Sequence, residues 1–363
     1  MQREIWRKFD YFLFGSVVIL CVFGIVMIQS AVAGTVSLLD SVQRQIIFVA
    51  IGLGVIILTA IIDYHYWASL SRLMYITTVI FLIIIFVYCT ARYCSARWLD
   101  TGLILIQPSE LGKIVLILVL ADYFAETYNE KRDVRWVFRS LLITLGIVVW
   151  IILQPNLSTS IVIFVIWFSL LWICKLPLKF IGMFLLVTLI LVSIAFPFFP
   201  DYQKARVLNF FVPDPNARYG DTYNVDQALI TIGSGELVGQ GYGHGSQVQL
   251  RFLKVRHTDF IFSAMSEEFG FVGTVIVIGL LIFVIIRCLR AARMASDMYG
   301  SLIAYGFATL IFFQTAVNIG VNLNIIPVTG LTLPFISYGG SSLLSLVLGI
   351  GLIESVVARQ SSI

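Results

Sequence analysis

Long apolar runs alternate with shorter polar segments along almost the whole chain. Ten of these runs approach the length that crosses about 30 Å of hydrocarbon. They lie at about 11–31, 45–62, 73–90, 108–125, 136–153, 157–174, 178–198, 260–286, 300–326 and 335–357. Backbone amides and carbonyls cannot stay unpaired in lipid, so each run is predicted to be a helix. The pattern therefore predicts an all-α polytopic membrane protein, with ten transmembrane helices in a single domain over residues 1–363.

Composition supports this prediction, because 59% of the residues are hydrophobic and only 12% are charged. A soluble domain carries about 25% charged residues. The first run, at 11–31, lacks a small-x-small cleavage site, so we interpret it as a membrane helix rather than a removed signal. Most of the five cysteines fall in apolar runs without CxxC spacing. The cysteines therefore predict neither a disulfide framework nor a metal site.

The basic residues predict the orientation of the chain in the membrane. Inner loops of membrane proteins carry an excess of lysine and arginine. With a cytoplasmic N-terminus, most of the 24 lysines and arginines fall in inner loops, and only Arg44, Arg92 and Arg97 fall in short outer loops. Ten spans return the C-terminus to the cytoplasm. A large extracytoplasmic loop, residues 199–259, then separates helices seven and eight.

That outer loop is long enough to expect a functional role. Its charges nearly balance, so it is not a polybasic segment, and no nucleic-acid partner is expected. Its middle, 233–245, is glycine-rich, but no strand precedes the G-x-G spacings, which excludes a dinucleotide site. Two interpretations stay open here: a flexible, close-packed loop, or a backbone that approaches a ligand closely.

Asp259 lies where this loop meets the eighth apolar run, directly after Arg256, His257 and Thr258. A general base must be mostly ionised and within reach of the proton that it takes. Neighbouring cations favour the ionised form of a carboxylate, so the flanking residues suit that role. Aspartate is also a good helix cap, and Thr258 could cap equally well. The sequence leaves both interpretations open.

Charged residues inside apolar runs are a second group of candidates, because charge in a membrane is costly and usually functional. Glu110 and Lys113 are three residues apart and share one helix face. They either neutralise each other or line a polar cavity. For Glu267 and Glu268 we favour structural hydrogen bonding or helix packing.

The segment before the last run contains Pro327 and Pro334, which break helix geometry. Two glycines then precede Ser341 and Ser342, which open the final helix. Such a helix start can bind an anion through its amides and hydroxyls. The alternative is a half-buried irregular loop whose hydrogen bonds are satisfied internally.

Several of these stretches together resemble the SEDS family (shape, elongation, division and sporulation), whose best-known members are RodA and FtsW. The matching stretches are 107–111 with Lys113, 154–155 with Leu157 and Thr159, 232–235, 257–262 with Glu267 and Glu268, and 334–342. They occur in the family's order and cover nearly the whole chain. The short termini and the stretch 223–245 resemble the RodA branch more closely.

The resemblance implies a peptidoglycan glycosyltransferase for cell-wall elongation and rod shape. Such enzymes polymerise lipid II, the undecaprenyl-pyrophosphate-linked disaccharide-pentapeptide, on the outer face of the bacterial cytoplasmic membrane. Their partner is a class B penicillin-binding protein, which crosslinks the new strands. The family's essential aspartate falls on Asp259. It would deprotonate the 4-hydroxyl of the acceptor GlcNAc, whose oxygen attacks C1 of the donor MurNAc with inversion.

The departing undecaprenyl pyrophosphate needs cations, and arginine binds phosphate bidentately. A divalent cation, Mg²⁺ or Mn²⁺, is a further candidate, without an assigned protein ligand. The residues expected to contact substrate are Arg97, Glu110, Lys113, Lys204, Arg206, Arg256, His257, Thr258, Ser341 and Ser342. The family usually carries QPDLGT where this chain has QPNLST at 154–159, so no carboxylate role is expected at Asn156.

Two other functions compete with polymerisation. A lipid II flippase would also use membrane-embedded charges, but it needs a path through both leaflets, often built from inverted repeats. No clear repeat is seen, and the polar motifs collect on the predicted outer side. A non-catalytic scaffold for the penicillin-binding protein would tolerate replacement of Asp259.

Overall fold

The computed structural model describes residues 2–34, 38–92, 99–100, 105–177, 180, 182, 197, 199–212 and 220–360. Within these ranges the regular structure is helical, apart from one short antiparallel pair of strands. In that pair β1 (Leu99–Asp100) lies beside β2 (Leu105–Ile106), with Leu99 opposite Ile106. The apolar pattern did not predict this pair, because two-residue strands leave no periodicity to detect.

The helices are numbered in chain order over the described residues. They are α1 (Gln2–Lys8), α2 (Tyr11–Val32), α3 (Leu39–Ile61), α4 (Tyr64–Ser69), α5 (Ser71–Arg92), α6 (Pro108–Glu126), α7 (Val134–Leu153), α8 (Leu157–Ile173), α9 (Asp201–Phe211), α10 (Asp221–Ser234), α11 (Ser246–Gln249), α12 (Ile261–Met294), α13 (Met298–Asn322) and α14 (Gly340–Ala358). Nine of the ten predicted apolar runs coincide with one of these helices.

Seven of the described helices are long and apolar enough to cross a membrane: α2, α3, α5, α7, α12, α13 and α14. The protein is therefore a polytopic helical membrane protein. Helix α8 has 17 residues, and α6 carries Glu110 and Lys113. The predicted run at 178–198 lies outside the described residues, apart from three isolated positions.

Burial separates central helices from peripheral ones. In the most apolar part of α14, 78% of the residues are buried, and in α13 the share is 67%, against 17% in α5. Helix α14 packs along α3, and α13 packs against α12, α6 and α8. Helices α13 and α14 thus form the centre of the bundle, whereas α5 keeps a wide apolar face for lipid.

Helix α12 has 34 residues, about 51 Å at 1.5 Å per residue, which exceeds the hydrocarbon thickness. Gly270 divides it, with φ of 64° and ψ of −165°. A side chain is excluded there, because a Cβ would lie 2.3 Å from the amide nitrogen of Gly239. The part after Gly270 alone is long enough to cross the bilayer, so Asp259 lies before a short helical segment at one membrane boundary.

The glycine-rich part of the loop 199–259 completes the backbone hydrogen bonds at this break. The amides of Gln240 and Gly241 donate to the carbonyls of Glu267 and Glu268, at 2.9 and 3.0 Å. In the other direction, the amide of Phe271 donates to the carbonyl of Glu236 at 2.9 Å. Helix breaks in membrane proteins persist when neighbouring groups satisfy the freed backbone. The loop is therefore close-packed against α12, as one of the two interpretations predicted.

The carboxylate of Glu267 holds the same loop. It accepts hydrogen bonds from the amides of Gln247 and Val248, at 2.8 and 3.1 Å. The neighbouring Glu268 accepts from the hydroxyl of Ser30. The prediction of structural hydrogen bonding for both glutamates is confirmed. The described part of the loop 199–259 contains three helices, α9, α10 and α11.

The two ends of the bundle differ in their side-chain contacts. At one end Arg287 pairs with Asp10 at 2.5 Å, and Arg359 pairs with Asp63 at 3.1 Å. The starts of α6, α8, α12 and α14 meet at the opposite end. There the amide of Gln107 donates to the Ser341 hydroxyl at 3.0 Å. That second end contains the candidate site.

Candidate active site

A cavity of about 320 Å³ opens between the starts of α6, α8, α12 and α14. It is lined by Gln107, Glu110, Asn156, Thr159, Arg206, Thr258, Asp259, Gln314, Thr329, Gly330, Leu331, Thr332, Tyr338, Gly339, Ser341 and Ser342. Most of these side chains are polar, although the surrounding bundle is apolar. The cavity is therefore a polar chamber at one end of a membrane-spanning bundle.

Four of the described helices direct their N-terminal ends at this chamber. Its lining includes Gln107 and Asn156, the N-caps of α6 and α8, and Gly339, the N-cap of α14. The N-cap of α12 directly follows Asp259. Each helix start presents amides without helical partners and the positive end of the helix dipole. Four such ends around one cavity favour a bound anion.

Asp259 places its carboxylate in this chamber, where the side chain is partly exposed. A Cβ built on Gly330, on the facing wall, would lie 3.9 Å from Asp259 Oδ2. The N-cap of α12 is Phe260, which makes no side-chain cap bond, so the interpretation of Asp259 or Thr258 as the cap is wrong. The Asp259 carboxylate is instead directed at the cavity.

The surroundings of Asp259 favour its protonated form more than the sequence suggested. Burial raises the pKa of Asp259 from 3.8 to about 6; Asp221 adds to this rise and Arg206 opposes it. The predicted effect of the flanking cation Arg256 is not seen, because its side chain is turned away from the cavity. A carboxyl group with a pKa near 6 is suited to accept a proton at neutral pH.

Arg206, on α9, is the cation among the described residues that line the chamber. Its Nε donates to Asp221 Oδ2 at 3.0 Å. Arg206 and Asp221 also line a smaller adjoining cavity of about 60 Å³, together with Asp226 and Asn324. The guanidinium therefore lies between two cavities and is held there by one carboxylate.

Glu110 and Lys113 form a buried ion pair at the base of the chamber. Lys113 Nζ lies 2.8 Å from both carboxylate oxygens of Glu110. Glu110 lines the cavity, whereas Lys113 lies behind it and is almost fully buried. The Ser345 hydroxyl also donates to Glu110, at 3.4 Å. Both interpretations of the pair apply, because it is mutually neutralising and one member faces the cavity.

The other predicted contacts divide into two groups. Thr258, Ser341 and Ser342 line the chamber, as expected. Arg256 does not, because its buried guanidinium donates to the carbonyls of Ala31 and Leu253.

Two further predicted contacts are not placed in the chamber. His257 and Lys204 are absent from its lining, and Lys204 lies 3.9 Å from the exposed carboxylate of Asp201. Arg97 falls outside the described residues. For His257, burial lowers the pKa and the charge of Arg256 lowers it further.

Residues 11–362 match the FtsW/RodA/SpoVE family model, described as cell cycle protein. The chain belongs to this family. Among its relatives, the peptidoglycan glycosyltransferase MrdB of Escherichia coli strain K12 is 33% identical over 93% of this chain and 90% of that protein. The probable peptidoglycan glycosyltransferase FtsW of Hydrogenovibrio crunogenus is 32% identical over 98% of this chain and 92% of its own length.

Solved structures share the fold of this FtsW/RodA/SpoVE protein. One comes from a peptidoglycan synthase complex studied for the coordination of polymerization and crosslinking. It superposes with a TM-score of 0.81 at 29% identity, over 98% of this chain and 99% of that chain. The crystal structure of Thermus thermophilus RodA, a rod shape determining protein, gives a TM-score of 0.70 at 28% identity, over 98% of both chains.

Sequence reasoning missed a stripe of amides on α13. Gln314, Asn318 and Asn322 follow one another at intervals of four residues and are buried. Gln314 lines the chamber, and its Oε1 has no hydrogen-bond partner among the described residues. Residues four apart share a helix face. Three amide side chains at this spacing in an apolar run were a sequence signal that could have identified these residues.

Among the described residues, the side chains that line the chamber do not group three His, Cys, Asp or Glu side chains around one point. The lining supplies two carboxylates, Glu110 and Asp259, and Lys113 already occupies both oxygens of Glu110. Asn156 offers an amide, but its Oδ1 accepts from the amide of Thr159 at 3.3 Å.

Proposed function

We propose that this protein polymerises lipid II into glycan strands of peptidoglycan, with Asp259 as the general base. Relatives that match nearly the whole chain are named peptidoglycan glycosyltransferases, so the protein is a glycosyltransferase of cell-wall synthesis. The observation that carries the assignment of the site is the position of Asp259. Its carboxylate enters a polar chamber, and burial there raises its pKa to about 6, which suits a general base.

In the proposed reaction the Asp259 carboxylate takes the proton of the acceptor GlcNAc 4-hydroxyl. The oxygen then forms a bond to C1 of the donor MurNAc, while the C1–O bond to the diphosphate breaks and the diphosphate keeps the electron pair. The α-linked donor becomes a β-1,4 bond, so one displacement with inversion is sufficient. A single base close to the acceptor hydroxyl meets the requirement for this step.

The leaving diphosphate gains negative charge as the bond breaks. Helix starts and a guanidinium that are already in place stabilise such charge without reorganisation of solvent. In this protein they are the amides at the starts of α6, α8 and α14, together with Arg206. We infer that Arg206 exchanges Asp221 for a phosphate oxygen, since arginine binds phosphate bidentately.

We propose ten spans, with both termini in the cytoplasm and the chamber at the extracytoplasmic side of the bacterial cytoplasmic membrane. Lys8, Arg287, Arg293 and Arg359 lie towards the end of the bundle opposite the chamber. A cytoplasmic side is expected to be rich in such residues. The seventh span would lie within 178–198.

A crosslinking partner fits this activity, and we propose a class B penicillin-binding protein. The support is the similarity to a chain from a complex that coordinates polymerization with crosslinking. A divalent cation, Mg²⁺ or Mn²⁺, would arrive on the substrate's diphosphate, because Mg²⁺ commonly binds through phosphates with one or two carboxylates. No step of the mechanism is assigned to the ion.

The test is polymerisation of lipid II in detergent by the purified protein, with and without the partner. Detergent removes the need to cross a leaflet, so glycan chains on a gel separate a polymerase from a flippase. Asp259→Asn is expected to lower the rate by at least about 100-fold. Asp201→Asn, which changes a fully exposed carboxylate, is the matched control and should keep the full rate. Wild-type polymerisation by Asp259→Asn would reject the assignment of the base.

A further inference from the structure

The main chain that carries Asp259 is held by an unusual set of hydrogen bonds. Three consecutive carbonyls, those of residues 257–259, each accept a hydrogen bond from a distant part of the chain. The Tyr338 amide donates to the first at 3.0 Å, and the Ser337 hydroxyl donates to the second at 2.8 Å. The third accepts from the side-chain amides of Asn318 and Asn322, each at 3.0 Å. All three carbonyls are thereby fixed from outside their own segment.

The two asparagines are themselves held in a defined orientation. Asn322 Oδ1 accepts from the Ser263 amide at 3.2 Å and from the Ser263 hydroxyl at 2.6 Å. A backbone amide can only donate, so Oδ1 must face Ser263 and Nδ2 must face Asp259. Asn318 Nδ2 has two carbonyls as neighbours, and only the amine side of its amide can serve both. Both side chains are almost fully buried.

Asn318 also connects the two walls of the chamber. Its Nδ2 donates to the carbonyl of Leu331 at 2.8 Å in addition to that of Asp259. Leu331 and Gly330 line the chamber, and Gly330 faces the Asp259 carboxylate. One amide group therefore sets the separation between the base and the wall opposite it.

We propose that Asn318, Asn322 and Ser337 are positioning residues for polymerisation, which fix the peptide of Asp259 so that only its side-chain torsions stay free. This inference rests on the proposed role of Asp259 as the base. An error of about 1 Å in the position of a reacting group can cost about 100-fold in rate. Buried hydrogen bonds to three successive carbonyls would prevent such a displacement of Asp259.

The test compares Asn318→Leu and Ser337→Ala with the wild-type protein in the lipid II assay. Each variant removes a donor and keeps a similar volume, and each leaves Asp259 itself unchanged. We expect kcat to fall by about tenfold or more, with KM changed by less than about twofold, because orientation rather than binding is lost. Ser337→Thr keeps the hydroxyl and is expected to recover most of the rate.

The pH profile supplies a readout that a merely structural role would not change. When the segment loosens, water reaches Asp259 and its pKa falls from about 6 towards 3.8. The fall of kcat at acidic pH should then move to lower pH. Within the part of the chain that the structure describes, the titratable groups around the carboxylate are Arg206, Asp221, Glu110 and Tyr338, with Lys113 and His257 beyond them. All six are unchanged in these variants.

Ser355→Ala is the matched control at the opposite end of the bundle. The Ser355 hydroxyl also donates to a main-chain carbonyl, that of Ile62, at 2.6 Å. This variant is expected to lower thermal stability but to keep the wild-type kcat and pH profile. If Asn318→Leu and Ser337→Ala behave like Ser355→Ala, the positioning role is rejected.

Asp259→Asn is assayed in parallel to separate the two proposals. If Asp259→Asn polymerises normally, the proposed function fails. If it is inactive while Asn318→Leu and Ser337→Ala keep a normal rate and profile, only the positioning role fails. Should Asn318→Leu not fold, Ser263→Ala replaces it, because it removes one bond that orients Asn322. Wild-type kcat in both serine variants would then overturn the inference.

Discussion

Replacement of the proposed base should make the protein more stable while it abolishes the reaction. Asp259 has a raised pKa because burial disfavours its charged form. The asparagine variant has a similar shape, and the bonds to the Asp259 carbonyl involve only the main chain. Asp259→Asn therefore removes the cost of burying the charge and leaves the surrounding backbone bonds in place.

The size of the effect follows from the pKa. Each pKa unit is worth about 1.4 kcal/mol, so a rise from 3.8 to about 6 costs the wild-type protein about 3 kcal/mol at neutral pH. The folded protein binds this proton more tightly than the unfolded chain. The cost is therefore absent below about pH 3.8, grows between pH 3.8 and 6, and is complete above pH 6. Asp259→Asn should recover most of it at pH 7.5.

Thermal unfolding in detergent at a series of pH values measures this difference. We expect Asp259→Asn to unfold a few degrees above the wild-type protein at pH 7.5. The gap should shrink below about pH 6 and close near pH 4. Asp201→Asn, with its exposed carboxylate, should show no gap at any pH. Equal Tm values at pH 7.5, or a gap that widens on acidification, would refute the reasoning.

Two further variants probe the base of the chamber and the break in α12. Lys113→Met leaves the buried Glu110 carboxylate without its cation and should lower the free energy of unfolding by about 3–5 kcal/mol, measured by thermal unfolding. The double variant Lys113→Met with Glu110→Gln should recover this stability. A double variant with a Tm as low as that of Lys113→Met alone would contradict this explanation. Gly270→Ala should sharply lower the yield of folded protein, because its Cβ would lie 2.3 Å from the Gly239 nitrogen. Gly279→Ala on the same helix has no atom within 4 Å of the new carbon and should purify normally, whereas equal yields for both would contradict the packing argument.

The membrane helices were predictable because a 20-residue apolar run has few alternatives in lipid. The same argument does not apply to α9, α10 and α11, which lie in the loop 199–259 and are short and mixed in polarity. Nor does it reach the break at Gly270, since the bonds that allow it come from Glu236, Gln240 and Gly241, some 30 residues earlier. Local patterns predict helices, but long-range hydrogen bonds decide where a helix is interrupted.

In the candidate site, too, some features were predictable from the sequence and others were not. The sequence indicated Asp259 at the border of an apolar run, Glu110 as a charge inside one, and Ser341 and Ser342 at the start of the final helix. The structure brings these four together. Arg256 is only two residues before Thr258 in the sequence, yet its side chain points in another direction, towards the end of α2. The direction of a side chain in an irregular turn depends on the turn's geometry, which residue types alone do not specify.

The bond between Gln107 and Ser341 joins positions 234 residues apart, and it lies in the wall of the chamber. The ribosome therefore synthesises the Gln107 side of this wall long before the Ser341 side. Until the final helix has inserted beside α3, the nascent protein has neither the Ser341 hydroxyl nor the last helix start, so it cannot enclose a substrate. If the proposed site is correct, a chain whose last helix has not yet been inserted is therefore expected to be inactive.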